Sequence, residues 1–123
     1  MMMKKILLAD DSATILMMER MILSRERCEI LTARDGKQAL EMALSERPDL
    51  ILLDVVMPEM TGFEVLKRLR EEEATRKTPV IMVTTRGEAE NVEAGFAGGC
   101  DGYITKPIES ADLLSKVRSY LSD

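Results

Sequence analysis

Three aspartates, a threonine and a lysine each stand where an apolar run of this chain ends. Asp54 closes Leu50-Ile51-Leu52-Leu53, and Asp10-Asp11 close Ile6-Leu7-Leu8-Ala9. Thr84 lies near the end of the run from Pro79 to Thr85, and Lys106 ends a stretch that begins at Asp101. Short unbroken apolar runs suit strands buried on both faces, as in a parallel sheet. Polar residues at the carboxyl ends of such strands are well placed for chemistry. Taken alone, Asp54 reads equally well as a turn aspartate satisfying backbone N–H groups. The convergence of four strand ends singles out the set. Carboxylates about 4 Å apart repel by about 1 kcal/mol per pair in bulk water and about 4 kcal/mol at a typical surface dielectric. Such a cluster needs a counter-charge. With oxygen ligands and no histidine in the chain, a hard cation is expected. Mg²⁺ fits better than Ca²⁺, because it takes one or two carboxylates, keeps waters and completes its shell with phosphate oxygens. Phosphoryl transfer would suit the set: a carboxylate attacks while the cation and Lys106 neutralise charge on the phosphoryl oxygens.

The elements that must position these groups alternate along the chain. Strands are expected over Lys4–Ala9, Glu29–Arg34, Leu50–Asp54, Pro79–Thr85 and Asp101–Lys106. Helices are expected from Ser12 to about Arg25, over Lys37–Glu46, from Gly62 to about Glu73, from Gly87 to about Ala97, and over Glu109–Leu121. In the first helix Ile15, Met18 and Ile22 mark the inward stripe, and Met17, Met18 and Met21 read as core filler. Ser12 or Asp11 caps that helix. Thr61 and Glu64 make a capping box, and Pro58 ends the pairing of the central strand. Asp35-Gly36 is a turn signal, and Arg47-Pro48 ends the second helix. The fourth helix is weakened by Gly95 and followed by Gly98-Gly99. Strands alternating with helices imply parallel pairing through right-handed crossovers. The fold class is therefore α/β, a doubly wound five-stranded parallel sheet in the order 2-1-3-4-5 with five helices. Strands 1 and 3 are then neighbours at the point where the winding reverses.

Composition narrows the function. A chain of 123 residues implies one domain, 1–123. The net charge of −5 disfavours nucleic acid as a direct ligand. No apolar run reaches the ~20 residues of a membrane span. The start at Met1-Met2-Met3-Lys4-Lys5 lacks a cleavage pattern, so no signal peptide is expected. Cys28 and Cys100 match no metal spacing and read as reduced thiols of a cytoplasmic protein. The absence of histidine excludes a Ser-His-Asp or Cys-His site.

The set resembles the response-regulator receiver domains of two-component signalling, which have a flavodoxin-like fold. The matching residues are Asp10-Asp11, Asp54 with Met57-Pro58 and Gly62, Thr84, Lys106-Pro107, and Tyr103 three residues before the lysine. The resemblance covers the whole chain. It implies that Asp54 accepts a phosphoryl group from a phosphohistidine on a histidine kinase or phosphotransfer protein. It implies that Asp11, Asp54 and the Val56 carbonyl ligate Mg²⁺, with Asp10 acting mainly through water. Lys106 would pair with the phosphoryl group, Thr84 would hydrogen-bond it, and Tyr103 would swing inward. That motion would change a face made by the fourth helix, fifth strand and fifth helix for an output protein not identifiable from sequence. The Lys106–Pro107 bond would be cis. Val56 and Arg86 would flank the path of attacking water, and Thr85 departs from the smaller residue usual there. The resemblance does not distinguish a stand-alone receiver from part of a longer regulator. Three other readings fit less well. Aspartyl-phosphate phosphatases carry an Asp-x-Asp pattern after the first strand, flavodoxin-like carriers need aromatics to flank a flavin, and a phosphorylation-independent module needs none of the five site residues.

Overall fold

The computed structural model describes residues 3–85 and 98–121. Each apolar run becomes a strand: β1 Lys4–Ala9, β2 Cys28–Ala33, β3 Leu50–Asp54, β4 Val80–Thr85 and β5 Gly102–Lys106. Between and after them run α1 Ala13–Leu23, α2 Gly36–Glu46, α3 Gly62–Glu71 and α4 Ser110–Leu121. All pairings are parallel, in the order β2-β1-β3-β4-β5. Four helices lie among the described residues; the predicted helix from Gly87 to about Ala97 falls outside them. β2 is an edge strand and starts one residue earlier than the sequence suggests.

Period-2 alternation divides the core into two layers. Leu7, Ile51, Leu53, Val80 and Met82 pack with Ala39, Leu40, Ala43, Val65, Leu66 and Leu69 under α2 and α3. Ile6, Leu8, Leu50, Leu52, Ile81, Val83 and Ile104 pack with Leu16, Leu23, Leu113 and Val117 under α1 and α4. Every residue of β3 is buried. Each such leucine contributes roughly 1.5–3 kcal/mol relative to exposure, so the strand carrying Asp54 is among the most firmly held segments.

Local signals start and stop the helices. Ser12 Oγ accepts the Ile15 N–H and caps α1. Asp35 caps α2 through the Gln38 N–H, and Arg47 ends it in the left-handed region at φ 49°. Thr61 and Glu64 form the expected capping box on α3. Gly62 is needed for packing: a Cβ there would lie 2.3 Å from the Asp54 carbonyl oxygen. Its absence lets α3 start against the backbone of the site strand. α3 stops at Glu71, short of the expected Glu73, because Glu72 is extended.

Arg70 ties the end of α3 to the turn before β5. Its guanidinium donates to Gly99 O from Nε at 3.0 Å and Nη2 at 2.8 Å, and to Thr75 O at 3.2 Å and Thr78 O at 2.8 Å. It also pairs with Asp101 Oδ2 at 3.2 Å, and that same oxygen accepts the Val80 N–H at 2.8 Å.

The face of α1 differs from expectation. Its buried residues are Leu16, Glu19 and Leu23. The expected stripe, Ile15, Met18 and Ile22, lies one residue off, half-buried at best. Met17, Met18 and Met21 are 63%, 37% and 69% exposed, so they are surface rather than core filler. The helix is apolar nearly all round, so periodicity alone could not orient it.

Candidate functional site

The site is assembled by the carboxyl edge of the sheet at the β1–β3 reversal. Asp10 follows β1; its N–H is held by Ala33 O at 3.1 Å, and its Oδ1 accepts the Ser12 N–H at 2.9 Å. Asp54 is the last residue of β3, and Lys106 the last of β5. Asp11 is exposed at the rim, where its carbonyl accepts the Arg34 guanidinium from Nη2 at 2.9 Å and Nε at 3.2 Å. One carboxylate oxygen from each of Asp10, Asp11 and Asp54 lies within 4.8 Å of the others. Lys106 Nζ stands 3.0 Å from Asp10 Oδ2 and 3.4 Å from Asp54 Oδ1. Asp10 Oδ2 is buried, and the Lys106 ammonium is the charge it faces.

Burial governs the electrostatics. Asp10 is 1% exposed and Asp54 5%. Loss of solvent, then the Asp10 charge, pushes the Asp54 carboxyl up to about 6, against the pull of Lys106. Burial works against the charge of Lys106 as well, but Asp10 and Asp54 outweigh it and hold the ammonium above the ordinary lysine range. Three carboxylates thus face one ammonium.

Asp10, Asp11, Asp54 and Lys106 are therefore brought together as the sequence suggested. Thr84 lies at the same edge and is 3% exposed. It sits opposite Thr105 in register, and the alternation of β4 assigns it to the layer of Met82. Tyr103, opposite Met82, packs against that same layer. The threonine and the tyrosine thus share a face, distinct from the one continued by Asp10, Asp54 and Lys106. Val56 is 72% exposed beside Asp54; Arg86 lies outside the described residues. The Lys106–Pro107 bond is cis, as the resemblance implied.

One residue escaped sequence reasoning. Glu19 of α1 is 2% exposed, and its Oε1 has no hydrogen-bond partner. Burial, then the Asp10 charge, pushes its carboxyl up to about 8, with Lys106 opposing and Asp54 adding. The available signal was an acid at the spacing of Leu16 and Leu23.

A family model for the response regulator receiver domain matches residues 6–118. The chain belongs to the response-regulator receiver family. Over 117 residues this receiver is 42% identical to the transcriptional regulatory protein ResD of Bacillus subtilis, a match covering 95% of this chain and 48% of ResD. It is 38% identical over 118 residues to the alkaline phosphatase synthesis regulatory protein PhoP of the same organism, covering 96% of this chain and 48% of PhoP. The receiver spans about half the length of the curated relatives it matches. Among solved structures, the chemotaxis response regulator CheY4 of Vibrio cholerae superposes with a TM-score of 0.90 at 38% identity, covering 98% of this chain and all of that one. A putative response regulator from Chloroflexus aurantiacus gives 0.93 at 30% identity, covering 99% of this chain and all of that one. Receivers are the phosphorylation-controlled parts of two-component systems, and they hold Mg²⁺ in an acidic pocket. The residues here fit such an ion: the ligand atoms are all oxygen, and three carboxylates face one ammonium, leaving an excess of negative charge. No described helix is long and apolar enough to cross a membrane.

Proposed function

We propose that the chain is one receiver domain over 1–123 and that Asp54 is its phosphoacceptor. The observation that carries this reading is the buried Asp54 carboxylate, 3.4 Å from Lys106 Nζ, at the point where the sheet winding reverses. An Asp54 oxygen attacks the phosphorus of a phosphohistidine on a histidine kinase or phosphotransfer protein. The new P–O bond forms as the P–N bond breaks, and the imidazole leaves with the electron pair. Lys106 follows the phosphoryl oxygens and offsets their charge. Asp11, Asp54 and the Val56 carbonyl would hold Mg²⁺, with Asp10 acting through water. When bound, the ion neutralises phosphoryl charge. Hydrolysis of the acyl phosphate by water regenerates the carboxylate.

Thr84 then reads the phosphoryl group, and Tyr103 follows on the face the two residues share. The output is a population shift on a face that includes β5 and α4, sensed by a protein partner. The domain turns over its own acyl phosphate and no metabolic substrate. The test is incubation with acetyl phosphate and Mg²⁺, read by intact mass and by peptide mapping after borohydride trapping. Labelling confined to Asp54 is expected; label elsewhere, or none, overturns the assignment.

A further inference from the structure

Asp10 and Asp11 leave β1 as a turn, and the end of β2 holds them both. Ala33 O accepts the Asp10 N–H at 3.1 Å. The residue after it, Arg34, reaches Asp11. Its Nη2 and Nε converge on the Asp11 carbonyl at 2.9 and 3.2 Å. These two nitrogens go to a main-chain oxygen, although the same residue offers a carboxylate. Arg34 is itself fixed from the far side. Its N–H donates to Gln38 Oε1 at 2.7 Å, and the Gln38 N–H donates to Asp35 Oδ1 at 2.7 Å, within the cap of α2. A chain of hydrogen bonds thus runs from the first turn of α2 through Arg34 to the acidic rim.

The two aspartates are held differently. Asp10 is buried, with Oδ1 on the Ser12 N–H and Oδ2 facing the Lys106 ammonium. Asp11 is exposed, yet one of its carboxylate oxygens joins the three-aspartate cluster. Which rotamers a side chain can take depends on its backbone angles. Fixing the Asp11 carbonyl therefore limits where its carboxylate can point. Charge acts in the opposite sense, because a cation beside an acidic pocket opposes the entry of another cation. The fork and the charge of Arg34 predict changes of opposite sign, so they can be separated.

We propose that Arg34 is a positioning residue for the metal site: its fork on the Asp11 carbonyl fixes the acidic turn and keeps the Asp11 carboxylate directed at the ion. Groups behind a metal ligand orient it, and their loss commonly weakens metal binding tenfold or more. This role rests on the reading of Asp11 as a Mg²⁺ ligand and not on that of Asp54 as phosphoacceptor.

The test compares the full wild-type chain with Arg34→Ala, Arg34→Lys and Asp11→Ala. Three quantities are measured: Mg²⁺ affinity by NMR titration, melting temperature without metal, and the Mg²⁺ dependence of labelling by acetyl phosphate. Arg34→Ala is expected to bind Mg²⁺ about tenfold more weakly, although it removes a repelling charge. Arg34→Lys keeps the charge but offers a point donor in place of the fork, so it should bind no better than Arg34→Ala. Both should melt close to wild type, since the arginine is exposed. Saturating Mg²⁺ should restore their labelling rate. Affinity in Arg34→Ala equal to or above wild type overturns the proposal, because charge would then be acting alone. Wild-type affinity in Arg34→Lys overturns it too, because the fork would not be needed. If Asp11→Ala binds Mg²⁺ as wild type does, the ligand reading fails and the proposal falls with it. If Asp11→Ala loses affinity and the arginine variants do not, the ligand reading stands and Arg34 has no part in it.

Discussion

The Arg70 clamp and the Asp10–Asp54–Lys106 site are both charged clusters at the rim of one sheet, and they are satisfied in opposite ways. Arg70 meets three carbonyls and one carboxylate, all at 2.8–3.2 Å, and Asp101 Oδ2 serves both Arg70 and the Val80 N–H. The donors and acceptors are closely matched, so the cluster stabilises the fold and has little capacity for anything else. The site places three carboxylates against one ammonium, which Asp10 and Asp54 must share. That imbalance is unfavourable in the resting protein and becomes favourable when a cation and a phosphoryl group arrive. The difference separates a structural charge network from one arranged for chemistry.

The comparison is sharpened most by removing the proposed nucleophile. Asp54→Asn should lose all labelling by acetyl phosphate, seen by intact mass, while melting no lower than wild type, since it removes a charge from a crowded buried set. Undiminished labelling at position 54 would show that the imbalance serves some other end.

Arg70→Ala should do the reverse. It should remain able to accept phosphate but lose about 2 kcal/mol of stability in urea denaturation, from several carbonyls left without a donor. Arg70→Lys should recover little of it, because one ammonium cannot reproduce the fork. Stability equal to wild type in Arg70→Ala would contradict the structural role.

A smaller effect is expected with pH. Asp54 and Glu19 are both pushed up, to about 6 and about 8. The folded chain therefore holds these protons more tightly than the unfolded chain does. Their contributions to stability are complete below the ordinary carboxylate range of about 4. The contribution of Asp54 fades as pH rises through 6, and that of Glu19 as it rises through 8. Lys106 is also raised, from an ordinary value near 10.5, so its contribution persists throughout this window. The urea midpoint of the metal-free chain should thus drift downward from about pH 4 to about pH 8. Asp54→Asn should remove the lower part of the drift and Glu19→Gln the upper part. A flat profile in wild type would refute the assigned shifts.

The smallest expected effect concerns the lifetime of the phosphorylated state. Val56 is exposed beside Asp54 and cannot hydrogen-bond a water. The arginine at position 86 can fork onto phosphoryl oxygens. Exchanging both, as Val56→Asn with Arg86→Glu, should quicken decay of the acyl phosphate in Mg²⁺ without kinase. Equal or slower decay would show that these side chains do not control water access.

What the sequence determined by itself was the set of elements and the chemistry at their ends. A strand buried on both faces must be apolar throughout, so Leu50–Leu53 and Ile6–Ala9 announce themselves, and the polar residues that close them mark the sheet edge. The capping box of Thr61 and Glu64 is equally local, which is why the start of α3 was legible. Tertiary structure alone decided which side of α1 turns inward. A helix with apolar residues nearly all round has no preferred face until a sheet is laid against it, and here the burial falls on Leu16, Glu19 and Leu23, leaving the methionines outside. Glu19 became visible only through that rotation, and Arg70 only through the meeting of α3 with a turn 29 residues away in sequence. Whether buried charges are matched or in excess depends on groups that no local pattern brings together, and that property distinguishes the site from the clamp.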